Sequence, residues 1–182
     1  MMTYTFTIRN EFLNDGFQAV QARPEDTEEV LSLLIETASW LKSKGSSQWN
    51  ALLQGEDSHN TPAAIRRGDV FVFKKEAQVA GMVILMQKPS PWDLKLWGDK
   101  AHAEDGALYL HRLAIRRKYA RTGLGKSILE WSSRGIQYEN KSLVRLDCGA
   151  DNVTLNTFYA GHGFRYAGAR DGFSIYEKPV EV

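Results

Sequence analysis

Residues 116–126, RRKYARTGLGK, bring together side chains and backbone suited to holding an anion. Arg116, Arg117, Lys118, Arg121 and Lys126 supply positive charge, and Gly123 and Gly125 stand one residue apart. The apolar run before them, 108–115, reads as a strand, and the residues from Gly123 onward as the first turns of a helix. Backbone N–H groups at a helix start have no acceptor inside the helix, and the peptide dipoles add partial positive charge there. Glycines in that turn let an anion approach the main chain closely. A phosphate-bearing ligand is the first expectation.

Two kinds of phosphate ligand compete for this loop. Residues 120–127, ARTGLGKS, fit a relaxed nucleotide phosphate loop with Ala120 in place of the first glycine, and Asp147, closing LVRLD, stands where such a protein holds Mg²⁺. Against a nucleotide, the charged run 116–119 separates strand from loop, and little chain remains after Ser127 for the rest of a parallel-sheet domain.

The other reading rests on two motifs. Residues 119–126, YARTGLGK, and residues 152–164, NVTLNTFYAGHGF, occur in that order. The first resembles the acetyl-CoA pyrophosphate loop of the GNAT superfamily of N-acetyltransferases, Q/R-x-x-G-x-G/A. The second resembles that family's N-x-x-A-x-x-x-Y-x-x-x-G-F signature. Ala120 departs from the usual Gln or Arg, and Leu155 from the usual small residue. The resemblance covers roughly residues 18–179.

It implies an α/β (α+β) fold: a single-domain, mixed, mostly antiparallel central sheet flanked by helices. It also implies acetyl-CoA as co-substrate, lying where two neighbouring strands splay apart. On that reading the backbone of Leu113, Ala114 and Ile115 pairs with the pantetheine amides. Arg121, Thr122, Gly123, Leu124, Gly125 and Lys126 take the pyrophosphate. Asn152 caps the following helix and contacts the cofactor, and Tyr159 protonates the leaving thiolate. Acid catalysis of this kind typically contributes ~10²–10⁴-fold. A non-catalytic acyl-CoA-binding sensor of the same fold is the alternative, and a homodimer is compatible with the resemblance.

An acceptor amine must lose a proton before it attacks. Glu104 and Asp105, ahead of the 108–115 strand, are the candidate bases, with His111 a third that alternation places among core residues. Four scattered histidines and one cysteine, Cys148, show no metal-ligand spacing, so no metal is expected. Cys148 reads as buried filler. Trp40, Trp49, Trp92 and Trp97 suit the walls of a small-molecule pocket as well as ordinary packing.

Composition agrees with an ordinary globular domain. At 182 residues, with 43% hydrophobic and 25% charged residues, the chain suits one domain with its own core. A net charge of +1 gives no reason to expect a nucleic acid or an anionic membrane as partner. No apolar run reaches spanning length and no basic-then-apolar leader opens the chain, so a cytoplasmic protein is expected.

The elements that must position these residues follow from local pattern. Residues 3–8 alternate as a short strand within an N-terminal extension (1–16), and 17–22 form the first strand proper. Pro24 and the acidic residues after it open a helix over 24–43. Thr61 and Pro62 open a second, ended by Gly68. Residues 70–74 and 79–86 read as a hairpin, with Gly81 marking a bulge. Residues 88–107 show little periodicity and are expected to be a long acceptor-side loop. A helix over 123–139, a strand at 143–148, a helix at 152–162 and strands at 164–168 and 173–178 around Asp171-Gly172 complete the pattern.

Overall fold

The computed structural model describes residues 5–13 and 16–181. In chain order its elements are β1 (Phe6–Ile8), β2 (Gln18–Gln21), α1 (Thr27–Ser43), α2 (Asn50–Leu53), α3 (Thr61–Arg67), β3 (Val70–Lys75), β4 (Gln78–Met86) and α4 (Pro91–Trp97). Then come β5 (Ala107–Ile115), α5 (Leu124–Arg134), β6 (Ile136–Tyr138), β7 (Leu143–Gly149), α6 (Val153–Gly161), β8 (Arg165–Arg170) and β9 (Phe173–Pro179). Seven strands form one sheet in the order β2-β3-β4-β5-β7-β9-β8, and β1 pairs with β6 in a second, two-stranded sheet. Pairing within the large sheet is antiparallel for β2–β3, β3–β4, β7–β9 and β8–β9, and parallel for β5–β7. The expected mixed, mostly antiparallel sheet with helices is therefore present.

Two compact units divide the chain, one of residues 1–10, 85–111 and 130–182, the other of residues 11–84 and 112–129. In the second unit, α1 presents Val30, Leu33, Leu34 and Ala38, all fully buried, at helical spacing. The β3–β4 hairpin contributes Val70–Phe73 and Met82–Ile84 to the same core. Its register shifts after Phe73, which faces Gly81. A Cβ at Gly81 would lie 2.8 Å from Ile128 of α5 and 3.3 Å from the Ala114 carbonyl. The bare glycine thus lets α5 and β5 pack close, and the expected irregularity is found there. For α3 the cap is Asn60, whose side chain accepts from the Ala63 N–H; Thr61 is the first helical residue.

In the first unit, β7 is paired to β9 along its whole length, from Leu143↔Pro179 to Gly149↔Phe173. Its parallel ladder with β5 is far shorter, with only Ala107↔Leu143, Leu108↔Val144 and Tyr109↔Arg145 in register. That register ends before Leu110 on β5 and Leu146 on β7. Arg112, farther along β5, has φ +57°, a left-handed backbone that costs a non-glycine residue about 1–2 kcal/mol. Arg112 therefore departs locally from regular strand geometry within β5, which continues to Ile115.

Two further expectations are corrected. Residues 88–107 are not a plain loop, because Ser90 and Asp93 form a reciprocal capping box and Pro91 opens α4, followed by a short 3-10 turn at Gly98–Lys100. The helix expected to reach 139 stops at Arg134, and Ile136–Tyr138 turn back as β6 to pair with β1. Strand 3–8 is present as Phe6–Ile8, and its first two residues lie outside the described residues.

At the turn between α5 and β6, a Cβ on Gly135 would collide with the indole of Trp131, which is 1% exposed and donates its N–H to the Asn10 carbonyl at 2.9 Å. Gly135→Ala is expected to destabilise the protein by about 1–3 kcal/mol through overpacking, measurable as a lowered midpoint in urea unfolding with an unchanged slope.

Candidate active site

The basic loop lies within the second unit. Arg116 continues the β5 ladder by donating its N–H to the Ala80 carbonyl at 2.8 Å. A 3-10 turn over Arg117–Tyr119 follows, and the Thr122 hydroxyl donates back to the Tyr119 carbonyl at 2.6 Å. Arg121 and Gly123 both take left-handed backbone, at φ +64° and +84°. The alternation folds the chain into a tight turn at the start of α5.

Four of the five basic residues divide into two groups. Arg116 and Arg117 are anchored: Arg116 reaches Glu36 at 3.4 Å, and Arg117 stacks 4.1 Å over the Trp40 ring while its N–H donates to Glu36 at 2.9 Å. Arg121 and Lys126 are exposed and have no ion-pair partner among the described residues. Leu124 between them is buried and fixes the helix start.

Gly123 and Gly125 serve different ends. Gly123 needs its positive φ. Gly125 has no positive φ, and a Cβ built there meets nothing within 4 Å. Glycine inside a helix is about 1 kcal/mol less favourable than alanine, and no packing or backbone constraint within the protein calls for it here.

Among the other expected backbone contacts, Ala114 is buried, while Leu113 and Ile115 are partly exposed. Arg112 just before them is held by the Trp49 ring at 5.1 Å, the Ser58 hydroxyl at 3.4 Å and Asp57 at 3.7 Å.

The first unit holds the titratable candidates. Asn152 caps α6, its side chain accepting from the Leu155 N–H at 3.0 Å. Tyr159, on the same helix, is buried against Phe158, Phe164 and Tyr176. Burial, with smaller contributions from Cys148 and Asp147, pushes its phenol well above the usual range, so it keeps its proton. The same burial, with Asp147 adding, pushes the Cys148 thiol up to about 11, which keeps it a neutral thiol.

The two carboxylates expected as bases separate. Glu104 is exposed in the turn before β5. Asp105 is 3% exposed at its side chain and accepts from the Ala107 N–H at 2.9 Å, the His102 N–H at 3.0 Å and the Tyr109 hydroxyl. Arg145 lies 3.6 Å away and itself donates to the Tyr109 oxygen, the Lys100 carbonyl and Glu177, with its guanidinium 4.4 Å from the Trp97 ring centre. Asp105 thus belongs to a closed buried network that ties β5 to β7 and β9, with most of its accepting capacity engaged.

A second cluster was not foreseen as a unit. His111 Nε2 lies 3.0 Å and 3.1 Å from the two carboxylate oxygens of Asp93 on α4. Asp147 on β7 completes a group whose polar atoms all lie within 4.8 Å of one another. Trp92 donates its indole N–H to Asp147 at 3.3 Å and packs edge-on against Phe173 at 4.8 Å. The carboxylates are driven in opposite directions. Burial acts to raise Asp93, but His111 and the Ser90 N–H and hydroxyl outweigh it and hold Asp93 below its usual value. Burial also acts on Asp147, and with Asp93's charge it prevails over His111 and Trp92, leaving Asp147 raised.

Comparison with known proteins decides the family. A model described as an acetyltransferase (GNAT) domain matches residues 66–166. YesJ of Bacillus subtilis (strain 168), named an uncharacterized N-acetyltransferase, is 45% identical over 176 residues, or 96% of this chain and 97% of YesJ. The chain belongs to the GNAT family of N-acetyltransferases. A GNAT-family acetyltransferase structure from Listeria monocytogenes 4b F2365 is 36% identical, covers 90% of this chain and 94% of its own, and superposes with a TM-score of 0.72. The PaiA N-acetyltransferase of Thermoplasma acidophilum, solved with coenzyme A, shares the fold at 16% identity, 90% and 99% coverage and a TM-score of 0.65. The nucleotide-binding reading of the glycine loop is thereby set aside.

In this acetyltransferase, Asp105→Ala is expected to cost about 3–5 kcal/mol, because it strips the counter-charge from a buried Arg145 and the acceptor from the Tyr109 hydroxyl. Urea unfolding of the variant against the parent protein measures it.

Proposed function

We propose that the protein transfers an acetyl group from acetyl-CoA to the primary amine of a small molecule or peptide by direct attack, with no covalent enzyme intermediate. The observation that carries this reading is the three-residue ladder between β5 and β7. Past Tyr109 and Arg145 the register between the two strands ends, and a parallel ladder that stops there suits the entry of a pantetheine arm. Leu113, Ala114 and Ile115 supply the strand edge farther along β5.

Arg121, Thr122, Gly123, Leu124, Gly125 and Lys126 take the pyrophosphate. The helix-start amides and the two unpaired cations favour a doubly charged anion, and the missing Cβ of Gly125 keeps its approach clear. The Thermoplasma relative's bound coenzyme A supports the same ligand class for this chain. Asn152 holds the start of α6 and so the placement of Tyr159 on its last turn.

In the chemical step the amine attacks the thioester carbonyl carbon, the C–S bond breaks, and Tyr159 gives its proton to the departing sulfur. Burial that keeps the phenol protonated suits that role. The partners are acetyl-CoA and the acceptor, in a cytoplasmic setting. No helix of the described residues is long and apolar enough to cross a membrane.

Gly125→Glu tests the cradle without disturbing the fold, because its side chain enters open space. It is expected to unfold like the parent protein yet lose acetyl-CoA binding in calorimetry; undiminished affinity would remove the loop from the site. Tyr159→Phe is expected to lower kcat by about 10²-fold or more with acetyl-CoA affinity retained. An unaltered rate in a thiol-release assay would take Tyr159 out of the mechanism.

A further inference from the structure

The geometry points to Asp147 as the catalytic base that takes the proton from the acceptor's ammonium group, with Asp93 and His111 as the residues that position it. This inference rests on the acetyl-transfer reading above and adds the group that reading lacks.

Four observations converge on Asp147. It sits on β7 just past the point where the ladder with β5 ends, on the stretch of strand edge assigned above to the coenzyme arm. It is partly exposed, whereas Asp93 is 1% exposed and Asp105 is enclosed with its bonding largely complete. Asp147 lies close enough to Tyr159 for its charge to act on the phenol, so proton acceptor and proton donor share one environment. One oxygen is fixed by the Trp92 indole, whose ring also makes an apolar wall with Phe173.

The neighbouring charges sort the roles. Asp93, His111, Tyr159 and Cys148 are the titratable groups facing Asp147 from α4, β5, α6 and its own strand. Asp93 is pinned by the Ser90 capping box and by His111, remains ionised, and acts as a fixed negative charge. Asp147, driven upward by burial and by Asp93, is the carboxylate with the stronger pull on a proton. Two titratable groups pushed apart by their surroundings are a signature of acid–base work. The acceptor this favours is a cationic primary amine, whose charge the two carboxylates attract before they discharge it.

The proton balance closes. The ammonium gives one proton to the Asp147 carboxylate, which passes it to solvent between turnovers. The free amine attacks the carbonyl carbon, its nitrogen loses a second proton as the amide forms, and that proton balances the one Tyr159 gives to the thiolate. The net products are the acetamide, free coenzyme thiol and one released proton.

A raised carboxylate also has a consequence for stability. Because Asp147's folded value lies above its unfolded one, stability falls as pH rises from the ordinary aspartate range through the folded value, so its charge opposes folding at neutral pH. Asparagine keeps the carbonyl oxygen that accepts from Trp92 and removes the charge.

Asp147→Asn is therefore compared with the parent protein in three measurements. The pH profile of thiol release uses saturating acetyl-CoA with butylamine, 1,4-diaminobutane and glycinamide as acceptor probes. Calorimetry follows acetyl-CoA binding, and thermal unfolding is recorded at neutral pH. The expected result is a loss of about 10²-fold or more in kcat/KM. The ascending acid limb should vanish, acetyl-CoA affinity should hold, and Tm should be unchanged or higher. A variant that keeps the limb and the rate overturns the assignment, as does one that loses Tm and acetyl-CoA affinity together. Carbon-13 NMR of aspartate carboxyls gives a readout independent of any acceptor. The signal missing in the variant should titrate above the ordinary aspartate range in the parent protein, and an ordinary or lower value overturns the proposal. A parent protein that binds no acetyl-CoA in calorimetry would overturn the donor assignment instead.

Discussion

A parallel strand pair that stops after three residues is the constraint on which the rest of this acetyltransferase depends. β7 cannot deviate, because β9 pairs with it from end to end. The departure falls to β5, where Arg112 adopts left-handed backbone immediately after His111. Such a backbone persists only when its surroundings over-determine it. Here Trp49, Ser58 and Asp57 hold the Arg112 side chain while its backbone departs from regular strand geometry within β5. The result is a parallel ladder that ends after three pairs in the middle of a sheet, while β7 stays fully paired to β9.

Two buried charge clusters lie on either side of the end of that ladder, and their contrast separates scaffold from chemistry. Asp105, Tyr109, Arg145 and Glu177 form a network in which opposite charges meet and the donors find acceptors. Such an arrangement holds one geometry. Asp93, His111 and Asp147 instead bring two carboxylates to one imidazole, so one of them must bear the cost of burial with less compensation. The difference lies in how completely each carboxylate is satisfied.

The glycine loop shows a similar division. Arg116 and Arg117 secure the loop to α1 through Glu36 and Trp40, and Gly123 makes the turn possible. Arg121, Lys126 and the bare position at Gly125 take no part in that internal bonding and face outward. Residues that the fold itself uses and residues that it leaves available alternate along a stretch of only a few positions.

Much of this was legible without a structure, because its signals are local. Helical spacing and the acidic first turn gave α1. The polar turn between apolar runs gave the β3–β4 hairpin, Asn152 gave the cap of α6, and Asp171-Gly172 gave the last hairpin. The two motifs around Gly123 and Tyr159 pointed to the family that the comparisons then established. The Ser90–Asp93 capping box was also written in the sequence, but a seven-residue helix offers too few periodic positions to stand out from its flanks. The break at Gly135 that ends α5 was masked because Ile136 and Tyr138 continue the apolar pattern.

Sequence alone therefore determined most of the elements, the glycine-rich loop and the family, since each depends on residues within a few positions of one another. Only the tertiary structure decided which carboxylate is spent on scaffolding and which is poised to accept a proton. Asp93, His111 and Asp147 come from a helix and two strands far apart in the chain, and it is sheet order and burial that set them side by side. Proton affinity depends on what surrounds a carboxylate in three dimensions, and no spacing along the chain encodes that directly.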